Sequence, residues 1–253
     1  MEAIQYFQEK ITMLTLYQFP ISHYCEKVRW ALDYKRLDYR TVNLLPGLHM
    51  AKVTKLSGSS SLPVLVHDGK IIKNSSDIID YLDTHFPESP LTPDNQALRQ
   101  EAMEWEKFAD EQIGIMVRAV CYHVLLDHPD MLIPIFTAGG PWYGRFVMPF
   151  IYPKLSSAMR SRMKLDQRTS QTALEQLGRA IDKLDAHLQN REFLVGDRFT
   201  RADLAVASLL APLCKAEKYG IDWPKQFPEP LEKISESYSG KTAWIRRLYA
   251  DYR

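Results

Sequence analysis

Residues 13–19 alternate, with Leu14, Leu16 and Gln18 on one face and Thr15, Tyr17 and Phe19 on the other, an apolar, β-branched and aromatic run of strand length. Pro20 ends it, and from Ser22 the period changes. Val28, Ala31 and Leu32 recur at helical spacing, and Ser22 is the N-cap. Alternation returns over residues 38–44 and stops at Pro46-Gly47, and residues 48–56 have the length of a short helix. Next come Ser61-Leu62-Pro63-Val64-Leu65-Val66, the turn His67-Asp68-Gly69, and Ile71 and Ile72, which together predict a hairpin. Asn74-Ser75-Ser76 then opens another helical stretch through Ile78, Ile79 and Leu82.

Beyond residues 87–95, which are rich in Pro and polar side chains, no strand series returns. Residues 97–124 carry a helical pattern (Ala102, Trp105, Ala109, Ile113, Val117, Val120), and so do residues 170–188 (Ala173, Leu174, Leu177, Ile181, Leu184, Leu188). Thr200-Arg201-Ala202-Asp203 has the spacing of a capping box, with Phe199 and Leu204 placed as a hydrophobic staple, so Asp203 is a structural residue. The predicted organisation is an extension over residues 1–12, a mixed α/β unit over 13–87, a linker over 88–95, and an all-α unit over 96–253. That last unit contains an apolar insertion near 131–152. Pro134, Pro141, Pro149, three glycines and Arg145 make a continuous membrane-spanning helix there improbable. The basic stretch 154–168 reads as a solvated helical face.

Composition narrows the function. The chain has 253 residues, 45% of them hydrophobic, enough for one large or two smaller cores. A net charge of +1 argues against a nucleic-acid binder that relies on bulk phosphate attraction. Residues 1–12 lack a secretory leader pattern, which predicts a cytoplasmic protein; Met13 is an alternative start. Cys25, Cys121 and Cys214 are too few and too far apart for a disulfide framework, and the seven histidines show no metal-ligand spacing.

Candidate chemistry gathers where the first strand feeds the first helix. A helix starting near His23 leaves its first N–H groups unpaired, with the positive end of the dipole behind them, so an anion is stabilised there. Two side chains can use that field. Ser22 can donate a hydrogen bond to a thiolate supplied by a small ligand, and Cys25 can itself be a thiolate of lowered pKa. The plain readings are a cap for Ser22 and an inert packed thiol for Cys25.

The order strand, helix, strand, X-Pro-strand, Asp-Gly hairpin, helix resembles the glutathione transferase family, as does the GDRFTRADLAVA stretch at 196–207. The resemblance implies a thioredoxin-like N-terminal unit of order βαβαββα followed by an all-α unit. It further implies a cytoplasmic, homodimeric detoxification enzyme with glutathione as cosubstrate, a small electrophile as second substrate, and no metal, nucleic acid or transmembrane segment. Aligned on Lys27-Val28-Arg29, Ser22 takes the position of the family's catalytic Ser or Cys, as in a Ser-type, bacterial-like member with S-x-x-C at the helix start. Tyr17 is the weaker alternative on the first strand. Pro63 resembles the family's cis-proline, which would turn the Leu62 backbone toward the cysteinyl part of glutathione. Ser75 matches the residue that holds the γ-glutamyl carboxylate. Asn74 replaces the usual acidic residue, which implies weakened binding. Lys52 or His49 would contact the glycine carboxylate. The apolar insertion is read as lining an acceptor pocket or covering a dimer surface, with Trp142, Tyr143 and Phe146 as its contacts or as core residues. Two other readings stay open: thiol-disulfide chemistry through Cys25, and a non-catalytic binding or scaffold protein of the same fold.

Overall fold

The computed structural model describes residues 13–253, so the expected extension over residues 1–12 lies outside the described residues. The first half holds β1 (Leu14–Gln18), α1 (His23–Tyr34), β2 (Tyr39–Asn43), α2 (His49–Ser57), β3 (Val64–His67), β4 (Lys70–Lys73) and α3 (Ser75–His85). The strands form one sheet of order β2-β1-β3-β4. β1 and β2 run parallel, which a tight turn cannot achieve, and α1 makes the crossover. β3 runs antiparallel to both β1 and β4, and the His67-Asp68-Gly69 turn closes the hairpin with Asp68 and Gly69 both at positive φ. This is the predicted βαβαββα order, and the all-α half follows it.

The helical half consists of α4 (Gln96–Phe108), α5 (Ile115–Leu125), α6 (Pro129–Thr137), α7 (Gly144–Met163), α8 (Gln167–Leu188), α9 (Arg201–Cys214), α10 (Leu231–Ser237) and α11 (Ala243–Tyr252). The helical pattern over 97–124 is carried by α4, a π-helical segment and α5 in succession. Ala109–Gly114 forms a π-helical segment joining α4 to α5 without a break in direction of the chain. Its buried residues Ala109 and Ile113 stand four apart, as in an α-helix, so the apolar period hides the wider turn. Gly114 ends the segment beneath the Tyr24 ring, where a Cβ would lie 2.5 Å from the hydroxyl oxygen. The insertion near 131–152 becomes α6, a loop and the first half of α7, with Pro149 and Pro153 inside α7. Among the described residues no helix is long and apolar enough to cross a membrane.

Helix α9 is the axis of the helical half, and every one of its residues is buried. It begins with the expected capping box: the Thr200 N–H donates to Asp203 Oδ2 at 3.0 Å, and the Asp203 Oδ1 also accepts the Leu194 N–H at 2.8 Å. The two halves share one apolar core. Trp30 of α1 stacks on Phe199 and packs against Tyr249 of α11, and its indole N–H donates to the Tyr252 carbonyl at 2.7 Å.

Candidate active site

The sheet register brings three loops to one end of the molecule. Tyr17 of β1, Val64 of β3 and Lys73 of β4 form one row across the strands. The chain leaves Tyr17 toward Ser22 and the start of α1, enters Val64 from Leu62-Pro63, and leaves Lys73 into Asn74-Ser75. The β3 pairings end at Val64, so the Leu62 backbone lies beyond the ladder. The Leu62–Pro63 peptide is cis, in keeping with the expectation from its place ahead of the strand.

Ser22 is the N-cap of α1, with extended backbone angles and its Oγ accepting the Cys25 N–H at 3.4 Å. That bond uses a lone pair and leaves the O–H as a donor. The side chain is half-buried. Cys25 is fully buried. Burial pushes its thiol pKa up, and the nearby Arg29 guanidinium, the Ser22 hydroxyl and the Phe19 backbone offset this only in part. The sulfur therefore sits as a packed neutral thiol behind the helix start, with no face toward solvent.

A groove of about 430 Å³ runs beside this end of the sheet, lined by Tyr24, Leu62, Pro63, Lys73, Asn74 and Ser75 among others. Asn74 has φ 67° and ψ 132°, a sparsely populated conformation for an L-residue that Asn tolerates better than most. Its Oδ1 caps α3 by accepting the Ser76 N–H at 3.3 Å. A second groove of about 580 Å³ shares Tyr24, Asn74 and Asp77 with the first and continues between α3 and α4.

Behind Tyr24 lies a buried ionic network. The Lys27 ammonium, with no exposed side-chain surface, donates to Asp110 at 2.9 and 3.0 Å and to Ser76 Oγ at 3.1 Å, and pairs with Glu106 at 2.8 Å. Arg201 pairs with Glu106 and with Asp80, each at 2.5 Å. Burial alone would raise the Glu106 pKa, but the two cations hold it below the usual carboxylate range. Tyr24 donates to the Asp110 carbonyl at 2.8 Å. The π segment thus presents both a carbonyl and a carboxylate to the first half, and α1, α3, α4 and α9 meet at one cluster of charges. Sequence reasoning missed Lys27, Glu106, Asp110 and Arg201, as well as Tyr24, Lys73 and Asp77 on the groove walls. For Lys73 and Asp77 a signal exists, since both flank the Asn74-Ser75 pair.

The other candidates stand elsewhere. Ser22 lies at the β1–α1 corner and is not a wall of either groove, although Tyr24 two residues on is a wall of both. His49 opens α2, where its Nε2 contacts the Ser60 carbonyl at 3.1 Å and its ring meets Phe19 edge-on, steadying the loop before Leu62. Burial lowers the His49 pKa, opposed by the Ser60 and Leu45 carbonyls. Lys52 is exposed over the Tyr17 ring. Trp142 and Tyr143 face outward, 79% and 42% exposed, and line neither groove. Among the described residues no group of three or more His, Cys, Asp or Glu side chains is placed to hold a metal ion.

Residues 16–90 match the family described as "Glutathione S-transferase, N-terminal domain", and residues 147–250 match "Glutathione S-transferase, C-terminal domain". Glutathione S-transferase 1 of Dianthus caryophyllus is 40% identical over 96 residues, a match that spans 37% of this chain and 42% of that protein. Protein LigF of Sphingobium is 23% identical over 255 residues, covering 94% of this chain and 90% of that protein. The crystal structure of that β-etherase superposes with a TM-score of 0.64 at 20% identity, over 94% of this chain and 99% of that one. A glutathione transferase from Pseudomonas putida, solved with glutathione disulfide bound, superposes with a TM-score of 0.63 at 17% identity, over 98% of this chain and 90% of that one.

Proposed function

Because the chain belongs to the glutathione transferase family, we propose that it is a glutathione-dependent transferase that ionises the thiol of bound glutathione at the start of α1. The observation that carries this reading is the shared row Tyr17–Val64–Lys73, which delivers Ser22, Leu62-Pro63 and Asn74-Ser75 to the same end of the sheet. In this reading the cysteinyl backbone of glutathione pairs with Leu62 as an added strand would. The γ-glutamyl carboxylate meets the N-terminus of α3 at Ser75, where unpaired N–H groups and the helix dipole favour an anion. Asn74 supplies an amide where a carboxylate would be charge-assisted, and Asp77 stands next to it on the groove wall.

The thiol gives its proton to water, and the thiolate accepts a hydrogen bond from the Ser22 hydroxyl. Sulfur then attacks an electrophilic carbon, the new C–S bond forms, and the leaving group departs with its electron pair. Ser22 stays protonated throughout, its task being to favour the charged sulfur. Cys25 has no part in this step, because a buried thiol of raised pKa cannot supply a thiolate to the groove. A cytoplasmic homodimer acting on a small electrophile completes the proposal.

An ultraviolet difference titration with glutathione tests it. A thiolate band that appears well below the free thiol's ionisation range, disappears in Ser22→Ala and persists in Cys25→Ala is the expected result. Loss with Cys25→Ala alone would transfer the chemistry to that sulfur, and absence of any glutathione binding would end the proposal.

A further inference from the structure

Between Asp130 and Asp166 the chain contains no carboxylate, although it contains Arg145, Lys154, Arg160, Arg162 and Lys164. Most of this segment is α7, and the face that α7 turns outward is unusual in composition. Trp142, just before the helix, is 79% exposed; Phe146 is 55% and Phe150 87% exposed. Phe146 and Phe150 stand four apart on one face of the helix, and the Trp142 ring, just ahead of the helix, lies 6.4 Å from that of Phe146, so the three rings form one stripe. Pro149 and Pro153 are exposed beside them, and Arg145 and Lys154 are exposed charges flanking the same face. Arg145 lies over the Phe146 ring. Arg160, which helical spacing puts on the same side, is paired with Asp127. The inner face of the helix is ordinary, with Gly144, Met148 and Tyr152 buried in the core. This helix presents aromatic rings and proline to solvent and carries cations alone among its own charged residues, so it offers rings and basic side chains together to a surface.

We propose that the outward face of α7, together with Trp142, docks on an anionic phospholipid surface. Charge decides the occupant. Two copies of the chain meeting isologously through this face would bring the cations Arg145 and Lys154 of one against a face that carries the same cations on the other. Pairing the face with the carboxylates of the second groove on another copy would be head-to-tail. A bilayer bearing phosphatidylglycerol or phosphatidylserine complements the cations. It also accepts Trp142, Phe146 and Phe150 at the depth of the headgroups, with the long Arg and Lys side chains reaching back to the phosphates. The absence of any helix able to span a membrane among the described residues leaves a surface-bound, reversible attachment.

Co-sedimentation of the full chain with vesicles tests the proposal. Vesicles of equal parts phosphatidylcholine and phosphatidylglycerol are expected to bind the protein at low salt, with affinity falling as salt rises, and pure phosphatidylcholine vesicles are expected to bind it at least about tenfold more weakly. Phe150→Ser, which alters an exposed ring, and the pair Arg145→Glu with Lys154→Glu are each expected to reduce binding about tenfold or more while the circular dichroism spectrum is unchanged. Failure to bind phosphatidylglycerol vesicles, or binding that survives both sets of substitutions, overturns the proposal. So does a lower mass by light scattering for Phe150→Ser than for the wild type, since the face would then belong to contact between copies.

Discussion

His23 is one residue on which acid stability depends. Its ring is buried at the first position of α1, and burial, with Arg118 adding to it, pushes the imidazole pKa down to about 3 against a hydrogen bond to the Gly114 backbone. The unfolded chain accepts this proton near 6.5, whereas the folded one refuses it until about 3. The stabilising contribution of the neutral ring is therefore complete above pH 6.5 and is lost as pH falls from there to 3, at most about 5 kcal/mol in all. Urea unfolding followed from pH 7 down to 4 is expected to show this loss, and His23→Gln is expected to flatten it. Asn74 answers to two demands at once. Its positive φ predicts that Asn74→Ala costs about 1 kcal/mol of unfolding free energy. Placing a carboxylate there with Asn74→Asp is expected to tighten glutathione binding about tenfold by calorimetry, through a charge-assisted bond to the γ-glutamyl ammonium, and an unchanged or weaker constant would remove Asn74 from that group's surroundings.

At the scale of elements, the helix starts were legible because their signals are local. Ser22, Asn74 and Thr200 each cap a helix within three residues of their own positions, and Pro63 announces its bond by preceding a strand. The Lys27 cluster had no such signal. Lys27 and Asp110 lie 83 positions apart, and Glu106 and Arg201 lie 95 apart, so no period or spacing joins them and each reads alone as a surface charge. The π segment escaped for a related reason, since its apolar residues keep helical spacing while its backbone widens to aim Asp110 at Lys27 and Ser76. Removing one ion from this network leaves others buried without counter-charge. Lys27→Met is expected to lower stability by about 3–5 kcal/mol, and adding Glu106→Gln to it is expected to cost less than the sum of the two single changes. Denaturation of the three variants measures both statements.

At the scale of the whole molecule the two halves are joined by apolar packing and by charge. Trp30 sits between Phe199 and Tyr249, and beneath it Arg253 pairs with Glu26 and Asp33 near the end of the chain. Calorimetry is expected to record one unfolding transition, and Trp30→Ala is expected to lower stability by about 3–5 kcal/mol without splitting it. The division into an α/β half and a helical half was readable from the change of period near residue 95, but the depth of their union was not. Lys27 has its charge balanced by Glu106 and Asp110, which the helical half supplies. The α/β half therefore carries a lock for which the helical half is the key. A chimera that exchanges the helical half to change substrate would succeed only with a donor bearing carboxylates at those two places.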